Sequence, residues 1–250
     1  MSSIKVDKGA QLRLLDLQAV DSALAQLQYK RRNLPEHAEI ATLRSARSAA
    51  AADLVAADTV VTDLEVDQAR AEADLQPVRD RLSRNQRRIA DGTIPDPKAL
   101  GSMVEEVEHL KRRIGDLEDA ELEIMEQLEA AIDRRERLRD RIAELDGRLE
   151  STTARRDQAV AEIDSTVAER RTERAQLAPE IPADLMALYD KIGATHGGVG
   201  AAELRQRRCT GCQLELNVAE LRMFASAAED DVLRCEECSR ILVRTASSGL

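Results

Sequence analysis

NQRRIADGTIPDPKALGSMVEEVEHLKRRIGDL, residues 85–117, decides the architecture. It joins two helical stripes through a short stretch holding Gly92, Pro95, Pro97 and Gly101. Proline has no amide hydrogen and restrains the residue before it, so one helix ends near Ala90. Proline is tolerated in a first turn, so the next helix begins near Pro97. A connection this short returns the chain antiparallel.

The stripes on either side are long. Stepping alternately by three and four from Leu100 to Ile163 visits 19 positions, of which 15 are Ala, Val, Ile, Leu or Met. The four others are Glu121, Arg135, Thr152 and Arg156. Upstream, Ile40 to Ile89 scores 12 of 15, missing at Arg47, Gln68 and Asn85, and Ala10 to Leu34 scores 6 of 8. A heptad stripe is too narrow to leave water alone and must meet another stripe, which is the pattern of a coiled coil. Leu12–Ala90 and Pro97–Ala178 match in length, and each would run about 120 Å at about 1.5 Å per residue. Asn33-Leu34-Pro35 breaks the register, and Pro77 should kink or interrupt the first arm. The small tract Ala46, Ala49–Ala52, Ala56 and Ala57 falls opposite residues 133–144, where small against large lets two helices approach closely. Arg135 and Arg156, at stripe positions, are expected to snorkel or to set register.

Composition agrees. In 250 residues the rings are Tyr29, Tyr189 and Phe224, while 34% of residues are charged. A thick globular core normally uses large rings to fill volume. Ala, Leu, Glu, Asp and Arg instead suit long helices on a narrow seam. The expected fold class is therefore mainly α: a long antiparallel coiled-coil hairpin with a small C-terminal β-rich head. The hairpin is expected over residues 1–178, with a break near 33–36, a kink near 77 and its tip near 91–97. Residues 179–250 form the expected head.

In that head, Pro179 and Pro182 end the long helix, and a short helix is expected over 182–192. Residues 199–209, 232–235 and 240–245 read as short strands. Residues 217–225 read as a helical turn with Asn217 as N-cap. Residues 245–250 read as a frayed tail.

All four cysteines fall here, as Cys209-Thr-Gly-Cys212 and Cys235-Glu-Glu-Cys238. Two residues between thiolates suit a tight turn whose sulfurs converge, and two such turns complete a tetrahedron. Gly211 is expected to free the first turn for positive φ. Disulfides are disfavoured in a reducing compartment, and a redox pair would open a helix in a βαβ unit. Sulfur ligands by themselves do not exclude iron. The paired spacing reads as one structural Zn²⁺ held by Cys209, Cys212, Cys235 and Cys238. Four thiolates leave no open position for a substrate.

The long hairpin, a GG-containing loop, CTGC, CEECSRILV and the tip IPDPKAL…VEEVEHL together resemble a bacterial family of coiled-coil hairpin proteins ending in a C4-type zinc ribbon. The Ala- and Arg-rich composition fits an actinobacterial member. That family usually has Gly after the last cysteine and an aromatic after the Ile-Leu pair; here Ser239 and Val243 stand there. The resemblance implies a non-enzymatic role. Relatives in flagellated bacteria and chlamydiae are associated with a σ54-type sigma factor, with secretion or flagellar assembly, and with messenger RNA. An actinobacterial cell is not expected to have that sigma factor, so the architecture transfers and the partner does not.

The charge balance is 37 basic against 47 acidic residues. Such a chain is not drawn globally to nucleic acid or anionic lipid. Arg205, Arg207 and Arg208, before the first cysteine pair, are the candidate phosphate contacts, set against solvated strand residues. Arg79, Arg81, Arg84, Arg87 and Arg88 near the tip face Glu105, Glu106 and Glu108, which ion pairing would explain. Neither a membrane span nor a signal peptide is read, and no nucleophile–base pair, P-loop or dinucleotide fingerprint can be assembled. The expectation is a cytoplasmic, non-enzymatic, zinc-binding adaptor for a protein partner, with RNA or DNA binding through the ribbon as the alternative. A homodimer would use apolar stripe left over on one arm.

Overall fold

The computed structural model describes residues 4–250. Three helices dominate: α1 (Lys8–Arg32), α2 (Pro35–Ala90) and α3 (Pro97–Leu177). A 3-10 turn, Ala178–Glu180, precedes α4 (Ala183–Thr195). Then come β1 (Ala201–Arg205), β2 (Arg208–Cys209), α5 (Val218–Ser226) and β3 (Ile241–Arg244). These residues group into two compact units, 38–153 and, separately, 154–250 together with the described residues up to His37.

Unit 38–153 is the antiparallel hairpin. Arg47 pairs with Asp146 at 3.0 Å, Arg79 with Glu118 at 2.6 Å, and Arg81 with Glu106. Partners on α2 climb as those on α3 descend, which is what an antiparallel return demands. Leu43, Ala50 and Leu145 form a buried cluster flanked by Ile142 and Leu149. Along the stripe from Leu100 to Ile163, every position except Leu100 is buried or half-buried. Along the stripe from Ile40 to Ile89, every position except Arg47 is. The polar members keep their places: Asn85 and Thr152 are buried, and Arg135 reaches from the seam to Asp58 at 3.9 Å. Pro77 lies inside a continuous α2, so the helix is not interrupted there. The missing amide leaves the carbonyl of Ala73 without its helical donor.

The tip matches its punctuation. The amides of Gly92 and Thr93 return to the carbonyls of Ile89 and Arg88, with Gly92 at φ 62°. This is the Schellman closure that a left-handed glycine permits. Asp96 then opens α3, its carboxylate accepting from the amides of Lys98 and Ala99.

The second unit groups α1 and the end of α3 with the head residues. Helix α1 packs into the head rather than only along a seam. Val6, Ala10, Leu14 and Leu17 share a core with Ile181, Leu185, Tyr189, Ile192, Ala201, Ile241 and Val243. Leu14, Gln11 and Gln18, off the heptad stripe, are buried as well, so the apolar face of α1 is wider than a seam needs. Gln18 fastens it: its Oε1 accepts from the amides of Gly200 and Ala201, and its Nε2 donates to the Gly198 carbonyl. Asp21 accepts from the Arg174 guanidinium at 2.7 Å and from the Tyr189 hydroxyl at 2.8 Å. Burial first, and that hydrogen bond second, push the Tyr189 phenol well above its ordinary range.

The sheet order is β2-β1-β3, with β1 antiparallel to β2 and parallel to β3. Alternation along the strands sends Ala201, Ile241 and Val243 to the α1–α4 core. It sends Ala202, Leu204 and Leu242 to a second core with Phe224, Leu216, Cys209 and Cys235. Residues 232–235 do not form the expected strand; they contribute a bridge from Arg234 to Ile241. The expected frayed tail is pinned, because Ser247 and Ser248 carbonyls accept from the amides of Gln206 and Arg207, and the Ser248 hydroxyl donates to Leu204.

Candidate metal centre

The centre lies in the second core. Each cysteine pair is built by the same backbone device. The amide of Cys209 donates to Leu214, the amide of Gln213 returns to Cys209, and Gln213 has φ 65°. Correspondingly, Cys235 donates to Arg240, Ser239 returns to Cys235, and Ser239 has φ 60°. The left-handed residue therefore follows the second cysteine of each pair, and Gly211 is not the position that needs it. Gly211 is required for space: a Cβ there would lie 2.7 Å from Cδ of Arg240 and 3.1 Å from Cβ of Ala202.

The four Sγ atoms all lie within 4.8 Å of one another. Cys209 and Cys238 sulfurs are 3.8 Å apart, and those of Cys212 and Cys235 are 3.9 Å apart. A tetrahedron with Zn–S of about 2.3 Å has edges of about 3.8 Å, so the residues fit the ion. Burial pushes the Cys209 thiol up to about 11, against the pull of the Cys212 and Gly211 amides. Burial likewise raises Cys235, against the amides of Cys238 and Glu237. At Cys238 burial is the largest influence and opposes ionisation, but hydrogen bonds from the amide and side chain of Arg240 and from Cys235 and Cys212 together bring the thiol below its ordinary value. Aimed amides and a dication together would hold Cys209 and Cys235 as thiolates, which burial alone would keep protonated. Zn²⁺ bound here supplies cross-linking of two turns rather than Lewis acidity, since all four positions are filled.

Two supporting side chains were not singled out from the sequence. Glu220, only 4% exposed, accepts at Oε1 from the Glu236 amide inside the second turn, at 3.1 Å. Its spacing from the N-cap Asn217, which accepts from the Glu220 amide at 2.8 Å, reads as ordinary helix capping. Only the fold shows that the carboxylate leaves its own helix. Arg240 donates to the carbonyls of Val199 and His196 and covers Gly211, tying the loop before β1 to both turns.

Arg205, Arg207 and Arg208 come together around the tight turn between β1 and β2, where Gln206 and Arg207 have φ of 46° and 64°. Each guanidinium has an internal partner. Arg205 meets Glu203 at 2.6 Å, Arg207 donates to the Gly249 carbonyl at 3.0 Å, and Arg208 lies 3.7 Å from Glu215.

Comparison with known proteins agrees with this architecture. The CT398-like coiled coil hairpin domain matches residues 17–197, and the C4-type zinc ribbon domain matches residues 208–242. Mycobacterium tuberculosis Rv2229c is 31% identical over 241 residues, covering 96% of this chain and 98% of the relative. A solved structure from Mycobacterium smegmatis is 33% identical with a TM-score of 0.81, covering 97% of this chain and all of the other. CT398 from Chlamydia trachomatis shares the fold at 16% identity and a TM-score of 0.66, covering 95% and 98%. The first match runs beyond residue 178 to include α4, and the second spans the four clustered thiols. The chain belongs to the CT398-like coiled-coil hairpin family and ends in a C4-type zinc ribbon that holds one structural zinc.

Proposed function

We propose that the protein is a non-enzymatic cytoplasmic adaptor that presents a paired-helix arm and a zinc-stapled head to a protein partner. The observation that carries the reading is the closed metal centre: four buried or half-buried thiols converge on one point and leave no position for a substrate. The hairpin supports it, because its seam is satisfied internally while its outer faces are charged and exposed. A reducing cytoplasm suits four cysteines kept as thiolates for a metal. Among the described residues, no helix is long and apolar enough to cross a membrane.

Nucleic-acid binding through Arg205, Arg207 and Arg208 is the competing reading. It is weakened by the internal partners of all three guanidiniums, and by Phe224, the head's ring on the metal side, being buried. Crosslinked capture from native cytoplasm, with and without nuclease, separates the two. A stoichiometric protein that survives nuclease is expected. RNA or DNA bound tightly by the full chain, with steep salt dependence and loss on changing the three arginines to Ala, would overturn the adaptor.

A further inference from the structure

The end of the hairpin carries charge that the hairpin itself does not use. The chain as a whole has ten more acidic than basic residues, yet Arg79 to Arg113 holds nine basic against six acidic. Arg79 and Arg81 are spent on Glu118 and Glu106, and Lys111 on Glu108. Beyond these, Arg84, Arg87 and Arg88 are exposed, and among the described residues none of them has a carboxylate within ion-pair distance. Their spacing of three and four residues puts them on one face of α2. Ion pairing across the hairpin therefore accounts for only part of the basic cluster expected from the sequence.

An apolar feature lies at the same end. Leu100 and Val104, one turn apart on α3, are 37% and 45% exposed. The register of the Arg81–Glu106 ion pair, followed along the antiparallel return, brings Val104 across from the stretch holding Ser83 and Arg84, and Leu100 across from Arg87. Exposed leucine and valine beside free guanidiniums is the make-up of a protein interface, where Arg is enriched and apolar side chains supply the centre. Phosphate backbone would use the arginines but leave the apolar pair without a role. Bases would need broad rings to stack on, and the hairpin unit has no Phe, Tyr or Trp, since those of the chain are Tyr29, Tyr189 and Phe224; its one imidazole is His109.

We propose that this distal face docks an acidic amphipathic helix of a protein partner, its carboxylates on Arg84, Arg87 and Arg88 and its apolar side chains on Leu100 and Val104. The proposal rests on the adaptor reading and names the chemistry of the partner.

The test uses the full-length zinc-loaded protein and a labelled amphipathic helix of Leu and Glu as probe, followed by fluorescence anisotropy. Binding is expected to weaken as salt rises and to fall about tenfold or more when the Glu residues of the probe become Gln. The variant Arg84→Glu/Arg87→Glu/Arg88→Glu should lose about tenfold or more while keeping its circular dichroism. Arg44→Glu/Arg148→Glu, which reverses two other exposed hairpin arginines, should bind as the parent does. Equal loss in both variants, no binding of the probe, or tighter arginine-dependent binding of a DNA duplex would overturn the proposal. A photo-crosslinker at Val104 separates this from the adaptor reading. If it captures nothing while one at Leu122 captures a nuclease-resistant protein, the distal face is wrong and the adaptor stands. If neither position, nor any on the head, captures protein, both readings fall.

Discussion

Leu43, Ala50 and Leu145 stay dry in the hairpin because two helices lean on each other along one repeated stripe. Leu204 and Leu242 stay dry in the head because a sheet with one five-residue strand, one of two and one of four is covered on both faces. One face is covered by α1 and α4, the other by α5 and the cysteine turns. The hairpin repeats its stabilising unit many times, so it tolerates polar residues at Gln68, Asn85, Glu121 and Thr152 along the stripe. The head has no repetition to fall back on. Its metal side contains one ring, Phe224, and four thiols, which is too small a core to stand without a cross-link. Stability is thus distributed in one region and concentrated in the other.

The largest effect expected is from Cys212→Ser. Removing one ligand should abolish stoichiometric zinc and unfold the metal side of the head, while the helical signal of the hairpin persists. Elemental analysis and circular dichroism check both halves of that statement. Leu185→Ala attacks the other face of the same sheet. Leu185 is fully buried in the α1–α4 core, and its truncation should cost about 2–5 kcal/mol without changing zinc content. Loss of zinc in this variant would mean that the two faces are not separable.

These two faces were not equally legible in the sequence. The seam could be counted, because a period repeated over 19 positions outweighs its own exceptions. The metal ligands could be placed because the paired spacing of cysteines is itself the geometry of the turns. By sequence α1 reads as seam, because Ala10, Leu17 and Val20 fit a heptad whether they face one helix or a sheet. Its buried Gln11 and Gln18 are polar letters with partners far along the chain: the Glu229 carbonyl for Gln11, and the amides of Gly200 and Ala201 for Gln18. By sequence Gly211 reads as a turn glycine, since nothing local shows that Arg240 will lie against it. Glu220 was hidden for the same reason: the Glu236 amide it serves is brought near only by folding.

Smaller effects sharpen the picture of the centre. Glu220→Ala should leave the Glu236 amide without its acceptor, costing about 1–3 kcal/mol and speeding zinc loss to a chelator. Glu220→Gln keeps an acceptor oxygen and should release zinc at nearly the parent rate. Equal acceleration in both would assign the effect to charge rather than to the hydrogen bond. Smallest is Ser239→Gly, which relieves a left-handed φ of 60° and should stabilise the head by up to about 1 kcal/mol in thermal unfolding.

Hydrogen–deuterium exchange before and after chelation tests the division between repeated seam and stapled head most directly. On removing zinc, protection should be lost in residues 201–216 and 233–244, while peptides within 40–90 and 97–153 exchange as before. Unchanged protection in both cysteine turns, or loss spreading evenly through the hairpin, would contradict it.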